Sequence, residues 1–159
     1  MSSRLPGRSL EVRQSLAAAP RSVLVVGSAA GFTQDVSVGP HHLAADEPVA
    51  AGGADTGPTP YDLLLAALGA CTSMTIGLYA RRKGWPLESV AVTLKHSKVH
   101  STDCGVCETE DRLLDQVERE IHLRGPLDDT QRARLLDIAN KCPVHRTLTS
   151  HINVHTWLV

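Results

Sequence analysis

Two cysteines stand 71 residues apart in helix-like surroundings: Cys71 closes the run TPYDLLLAALGAC, and Cys142 sits within RARLLDIANKCPVH. A lone cysteine among apolar residues usually behaves as a small hydrophobe, but two in contexts this distinctive point toward a redox pair. Such chemistry needs a thiolate, and a free thiol with a pKa of about 8.5 is mostly protonated at neutral pH. Around Cys142, the sequence CPVHR sets His145 and Arg146 three and four residues on, within reach on one helical face, where either would favour charged sulfur. The plainer alternative is a helix-end cysteine packed beneath Pro143 beside a solvated histidine. Cys71 lies too deep in its helix to profit from the N-terminal dipole, which fades within the first turn. Arg81 is ten residues further on, roughly 15 Å along the axis at the rise of an α-helix. The cation that activates Cys71 must come from another segment.

A second constellation is separate from the first: His96, His100, Cys104 and Cys107, in the order H-x3-H-x3-C-x2-C. These are zinc-compatible ligand types, and His96 and His100 share one face if they lie in a strand. Zinc sites normally hold their ligand pairs further apart. A polar hairpin tip with a reactive dithiol, or an inert one, is the competing reading. A redox CxxC is a third, although this one does not open a helix after a strand.

The elements that must position these groups follow from patterning. RSVLVVG and FTQDVSV read as strands with a third at HHLAA, an N-terminal antiparallel meander punctuated by Gly27, Gly31, Gly39 and Pro40. DEPVAAGGADTGPTP has no apolar period and is a loop. Thr59 caps the following helix, Pro60 suits its first turn, and Asp62 places negative charge at the positive end of the dipole. From Tyr61 to about Lys83 the pattern is apolar nearly all round, which predicts a helix buried on most sides. Gly69, Ala70, Thr72, Ser73 and Gly77 leave room for close approach around Cys71. Gly84 and Pro86 end the helix behind Arg81, Arg82 and Lys83. SVAVTLKHSKVH alternates as a half-buried strand, and LLDQVEREIHLRG returns through Val117, Arg119, Ile121 and Leu123. Asp128, Asp129 and Thr130 are candidate caps for a second helix with an apolar face of Leu135, Leu136, Ile138 and Ala139. The short helix PVHRTLTS follows, then a final alternating strand through Ile152, Val154, Thr156 and Leu158.

At 159 residues the chain fits one domain, residues 22–159, behind a flexible N-terminal extension over 1–21 whose arginines and serines faintly resemble a transit peptide. The formal net charge of -1 and an aromatic content of 3% argue against nucleic acid as a partner. The longest apolar run, LLLAALGAC, is too short to span a bilayer, so a cytoplasmic location without a membrane partner is expected. In a reducing compartment four cysteines point to catalysis, metal binding or burial rather than a disulfide framework.

GPTPYDLLLAALGACTSMT, followed some 70 residues later by IANKCPVHRTL, resembles the OsmC/Ohr family of osmotically inducible and organic-hydroperoxide-resistance proteins. HHLAADEP and the Gly/Pro loop extend the resemblance over roughly residues 22–159. It implies an α+β fold, antiparallel sheets around a long buried central helix, with two intertwined subunits forming a homodimer and thiol sites at their interface. It implies further that Cys71 attacks an organic hydroperoxide, that Cys142 resolves the sulfenic acid as a disulfide, and that a thiol reductant restores both without a cofactor. The chain departs from the family's pattern where a glutamate ten residues before the first cysteine pairs with an arginine from the N-terminal strands. Tyr61 occupies the glutamate's place, and Asp62 is the substitute at hand. No arginine lies between Arg21 and Arg81, so Arg21 and Arg146 are the candidate cations. The rival expectation is a non-enzymatic stress-response protein that binds a ligand or senses redox state or metal.

Overall fold

The computed structural model describes residues 22–100 and 113–159, and the chain divides into two compact units between Leu63 and Leu64. In the first unit, strands β1 (Val23–Gly27), β2 (Gln34–Val38) and β3 (His41–Ala45) form the expected antiparallel meander in the order β1-β2-β3. Val25 pairs with Val36 and Val36 with Leu43, so β-branched and aliphatic residues line one face at every second position. Gly39, at φ +56°, supplies the left-handed residue of the tight turn between Val38 and His41.

The loop after β3 is ordered by one carboxylate. Asp46 is 1% exposed, and its oxygens accept from the Thr33 hydroxyl, from the amides of Glu47, Ala54 and Thr56, and from the Thr56 hydroxyl. These donors, the Thr56 hydroxyl foremost, hold its pKa down at about 2. The glycines of this loop are needed for space: a Cβ at Gly53 or Gly57 would strike the carbonyls of Glu47 or Ala44. The motif HHLAADEP is thus the whole of β3 followed by the hub of its loop.

Helix α1 spans Pro60–Lys83 and ends where Gly84, at φ +65°, lets the Trp85 amide reach the Ala80 carbonyl. It enters the second unit, where β4 (Ser89–His100) and β5 (Leu113–Arg124) form a long antiparallel hairpin pairing Leu94 with Arg119 and Val92 with Ile121. Gly69 on α1 lies under Leu94, and a Cβ there would meet that side chain at 2.8 Å, so the small residue permits the helix-to-hairpin contact. Helix α2 (Asp129–Ala139) starts at a complete capping box between Asp128 and Gln131. Ile76 and Ala80 of α1 then pack with Leu127, Leu135 and Ala139 as the buried core. A three-residue turn, Asn140 to Cys142, leads into α3 (Pro143–Leu148).

Two expectations are corrected. Leu68, Thr72, Ile76 and Ala80, one stripe of α1, are buried along with Gly69, but Leu64, Met74 and Leu78 are exposed, because a single chain supplies packing partners for only one side of this helix. The final strand does not form: residues 150–159 carry no regular structure and all are exposed, since a strand exists only with a neighbour to bond to. Helix α1 is also long and apolar enough, at 24 residues with a mean hydropathy of 1.7 over its best window, to cross a bilayer by length and composition alone. One side of it packs against the hairpin and α2.

Candidate thiol site

Cys142 is 0% exposed and occupies the N-cap position of α3, with Pro143 at the first turn. Extended backbone at this position, φ -63° and ψ 139°, turns its sulfur back over the new helix, where Sγ accepts the His145 amide at 3.3 Å. The residue three positions on thus contributes its backbone rather than its ring. A second donor comes from α1: the buried Thr72 hydroxyl lies 3.8 Å from Cys142 Sγ. Thr72 follows Cys71 directly, so the backbones carrying the two thiols adjoin through this contact. Cys71 is half-buried and points about 100° around the helix from Thr72. Both described cysteines are free thiols.

The cation at this place is Arg119 of β5. Its Nη1 donates to Thr72 Oγ1 at 3.0 Å and to the Ala139 carbonyl at 3.3 Å, and its Nη2 donates to Asn140 Oδ1 at 2.7 Å. The Ala139 carbonyl also accepts the Cys142 amide at 3.3 Å, so Arg119 and Cys142 share an acceptor at the end of α2. Burial first, and the charge of Arg119 second, push His145 below the ordinary imidazole value. A cleft of about 420 Å³ opens beside this cluster, with Asp115, Arg119, Asn140, His145 and Thr149 as polar groups on an otherwise aliphatic lining.

Of the other residues expected in the site, Asp62 is engaged in the α1 cap. Its Oδ2 accepts the Thr59 amide at 2.9 Å and the Thr59 hydroxyl at 2.7 Å, while Thr59 Oγ1 accepts the Asp62 amide at 3.1 Å. The Thr59 hydroxyl, then its amide, lower the Asp62 pKa. Arg146 is exposed on α3, where its amide bonds the Cys142 carbonyl as part of the first turn. Arg21 lies outside the described residues. Cys104 and Cys107 do too, and of His100 only the backbone is described, paired with Leu113 at the hairpin end. His96 contacts Asp115 Oδ1 through Nε2 at 2.8 Å, and Lys98 approaches the same oxygen at 3.4 Å. Chiefly the His96 contact lowers the Asp115 pKa. Among the described residues no three His, Cys, Asp or Glu side chains gather as a metal site.

Sequence reasoning passed over Arg119, and with it Thr72 as a partner of Cys142. The signal was present: an arginine on the inward face of an alternating strand, between Val117 and Ile121, must find acceptors there.

Two antiparallel sheets with a long helix define an α+β protein, which carries two free thiols among its described residues. The family model described as OsmC-like protein matches residues 52–156, well over half of the sequence, and the chain belongs to the OsmC family. Solved structures share the fold. The OsmC-like protein of Mycoplasma pneumoniae is 18% identical, with 82% of this chain and 88% of that one covered at a TM-score of 0.64. An organic hydroperoxide resistance protein OsmC of Legionella pneumophila is 21% identical, over 82% and 91%, at 0.58. The organic hydroperoxide resistance protein OhrB of Bacillus subtilis is 19% identical, over 81% and 90%, at 0.56. Among curated proteins nothing matches the sequence.

Proposed function

We propose that this protein is a thiol-dependent peroxidase that reduces organic hydroperoxides, with Cys71 as the attacking thiol and Cys142 as the resolving one. The observation that carries the reading is the contact from Thr72, the residue next to Cys71, to the Cys142 sulfur, which brings the two thiol-bearing segments side by side. Membership of the OsmC family, and structural relatives named for organic hydroperoxide resistance, support the substrate class. The half-apolar cleft beside Arg119 and His145 has the character to admit an organic molecule with one polar end.

In the first step a Cys71 thiolate attacks the terminal peroxide oxygen; the O–O bond breaks, sulfenic acid remains, and the departing alkoxide takes up the proton that Cys71 had released and leaves as the alcohol. Cys142 then displaces the sulfenic hydroxyl, forming the disulfide and releasing water. An external thiol returns both sulfurs to the reduced state, and no cofactor is needed. The protein acts as a homodimer in this reading. Zinc at His96, His100, Cys104 and Cys107 is a separate proposal, tested by metal analysis of protein purified without chelator.

Mass spectrometry after one equivalent of an organic hydroperoxide tests the peroxidase. A linked peptide pair joining Cys71 and Cys142, lighter by one hydrogen per sulfur, is expected, and Cys71→Ser abolishes it. Unchanged thiols after exposure leave the family's non-enzymatic alternative, a binding or sensing protein.

A further inference from the structure

Thr72 is 0% exposed, and a buried hydroxyl has one hydrogen to give and two lone pairs to offer. Arg119 has only donors, so at their 3.0 Å contact Thr72 Oγ1 accepts. Its single hydrogen is therefore free to turn elsewhere, and the acceptor in reach is Cys142 Sγ at 3.8 Å. The same sulfur accepts the His145 amide at 3.3 Å. Two donors aimed at one sulfur suit a thiolate better than a thiol, which must also find a place for its own hydrogen. A guanidinium directly behind the hydroxyl polarises it further in the direction of the sulfur.

Resting on the peroxidase reading, we infer that Arg119 and Thr72 form a relay that prepares Cys142 as the nucleophile of the resolving step. Arg119 is a positioning residue: it touches neither sulfur, but fixes the Thr72 hydroxyl as a donor and, through the Ala139 carbonyl that the Cys142 amide also uses, fixes the backbone at Cys142. The groups around Cys142 leave this role to Arg119. His145 on α3 is held toward its neutral form, Arg146 on α3 and Lys141 before it are exposed, and Asp115 on β5 is engaged by His96 and Lys98. Cys71 on α1 is the other thiol. The step itself balances within the chain: the Cys142 thiolate attacks the Cys71 sulfenic sulfur, the S–S bond forms as the S–O bond breaks, and the departing hydroxide takes up the proton that Cys142 had released.

The test reads the Cys142 thiolate by its ultraviolet absorbance against pH in full-length protein carrying Cys71→Ser, Cys104→Ser and Cys107→Ser, where Cys142 alone titrates among cysteines. Thr72→Val and Arg119→Met are expected to move that titration upward by roughly one pH unit, the scale on which a lost charge or hydrogen bond acts on a buried group. Thr72→Ser, which keeps the hydroxyl, is expected to restore it, a rescue that a purely structural role for the side chain would not produce. With Cys71 present, disulfide closure after a pulse of tert-butyl hydroperoxide is expected to slow about tenfold at neutral pH in Thr72→Val, in step with the lost thiolate fraction. A Thr72→Val protein whose Cys142 titrates as in its parent overturns the relay. Arg119→Met also removes bonds to the end of α2, so if that variant does not fold, Thr72→Val decides. Should the parent protein consume no hydroperoxide while the titration shifts as expected, the peroxidase reading and the resolving step fail, and the hold of Thr72 and Arg119 on the Cys142 sulfur stands.

Discussion

Around Cys142 the function of individual residues depends on which atom faces the sulfur. CPVHR placed His145 within reach of the thiol, and its contact is made by the amide, at 3.3 Å, because Cys142 is the N-cap of α3 rather than a position inside a helix. The ring is free to report on its surroundings. Burial and the Arg119 charge depress its pKa below 6.5, so in the folded protein it takes up a proton less readily than in the unfolded chain. Its effect on stability is absent above the unfolded value, and a penalty grows as pH falls below it. A proton NMR titration of His145 is expected to show a midpoint below the ordinary histidine value, moving part of the way back in Arg119→Met because burial remains when the charge is gone. A midpoint at or above that value in the parent would contradict the description of the cluster. Arg119 itself was legible only as a misfit, a cation between Val117 and Ile121 on a strand face, and its partners lie on segments 20 and 47 residues away in sequence.

Elements were more readable than their contacts, because caps, turns and two-residue alternation are local while packing is not. The meander, the hairpin, α1 and α2 all begin where Thr59, Asp128 and the glycine turns direct. The alternating segment after Ser150 shows the limit, since alternation describes a strand's faces and not its partner. The α2 capping box allows a direct check. Asp128→Ala is expected to cost about 1 kcal/mol in denaturant unfolding, the usual worth of an N-cap side chain, and to loosen the α2 end that presents Ala139 and Asn140 to Arg119. An unchanged midpoint would mean that the cap contributes nothing here. The loop after β3 gives a pH test. Asp46 has a folded pKa of about 2 against 3.8 unfolded, so its stabilisation is complete above the unfolded value and is lost as pH falls through the folded one. Hydrogen exchange at the Ala54 and Thr56 amides, corrected for intrinsic rates, is expected to lose protection in that interval. Asp46→Asn removes the dependence, and full protection at the lower end in the parent would refute the assignment.

At the scale of the whole molecule, the apolar surface that one chain leaves uncovered is the main argument for a second. Met74 is 72% exposed on α1, a helix whose composition suits burial on more sides than this chain provides, and Val154, Trp157 and Leu158 are 77%, 76% and 99% exposed in the final segment. Soluble monomers rarely leave contiguous apolar patches of more than a few hundred Å² open to water, and an extended segment with alternating apolar residues is what a sheet edge recruits. A homodimer covering the open face of α1 removes the first liability, and pairing of residues 150–159 across the interface removes the second. Light scattering coupled to size exclusion is expected to give twice the 17.0 kDa chain mass. Met74→Glu, which places a charge on the open face of α1, is expected to shift the protein toward monomer, and deletion of residues 151–159 to weaken association. A parent protein that stays at single-chain mass at micromolar concentration would refute the dimer. Because the contacts of Cys142 with Thr72 and His145, and that of Arg119 with Thr72, all lie within one chain, Met74→Glu also separates assembly from thiol chemistry: a monomer that retains the Cys142 titration but forms no disulfide would locate the dimer's contribution at Cys71.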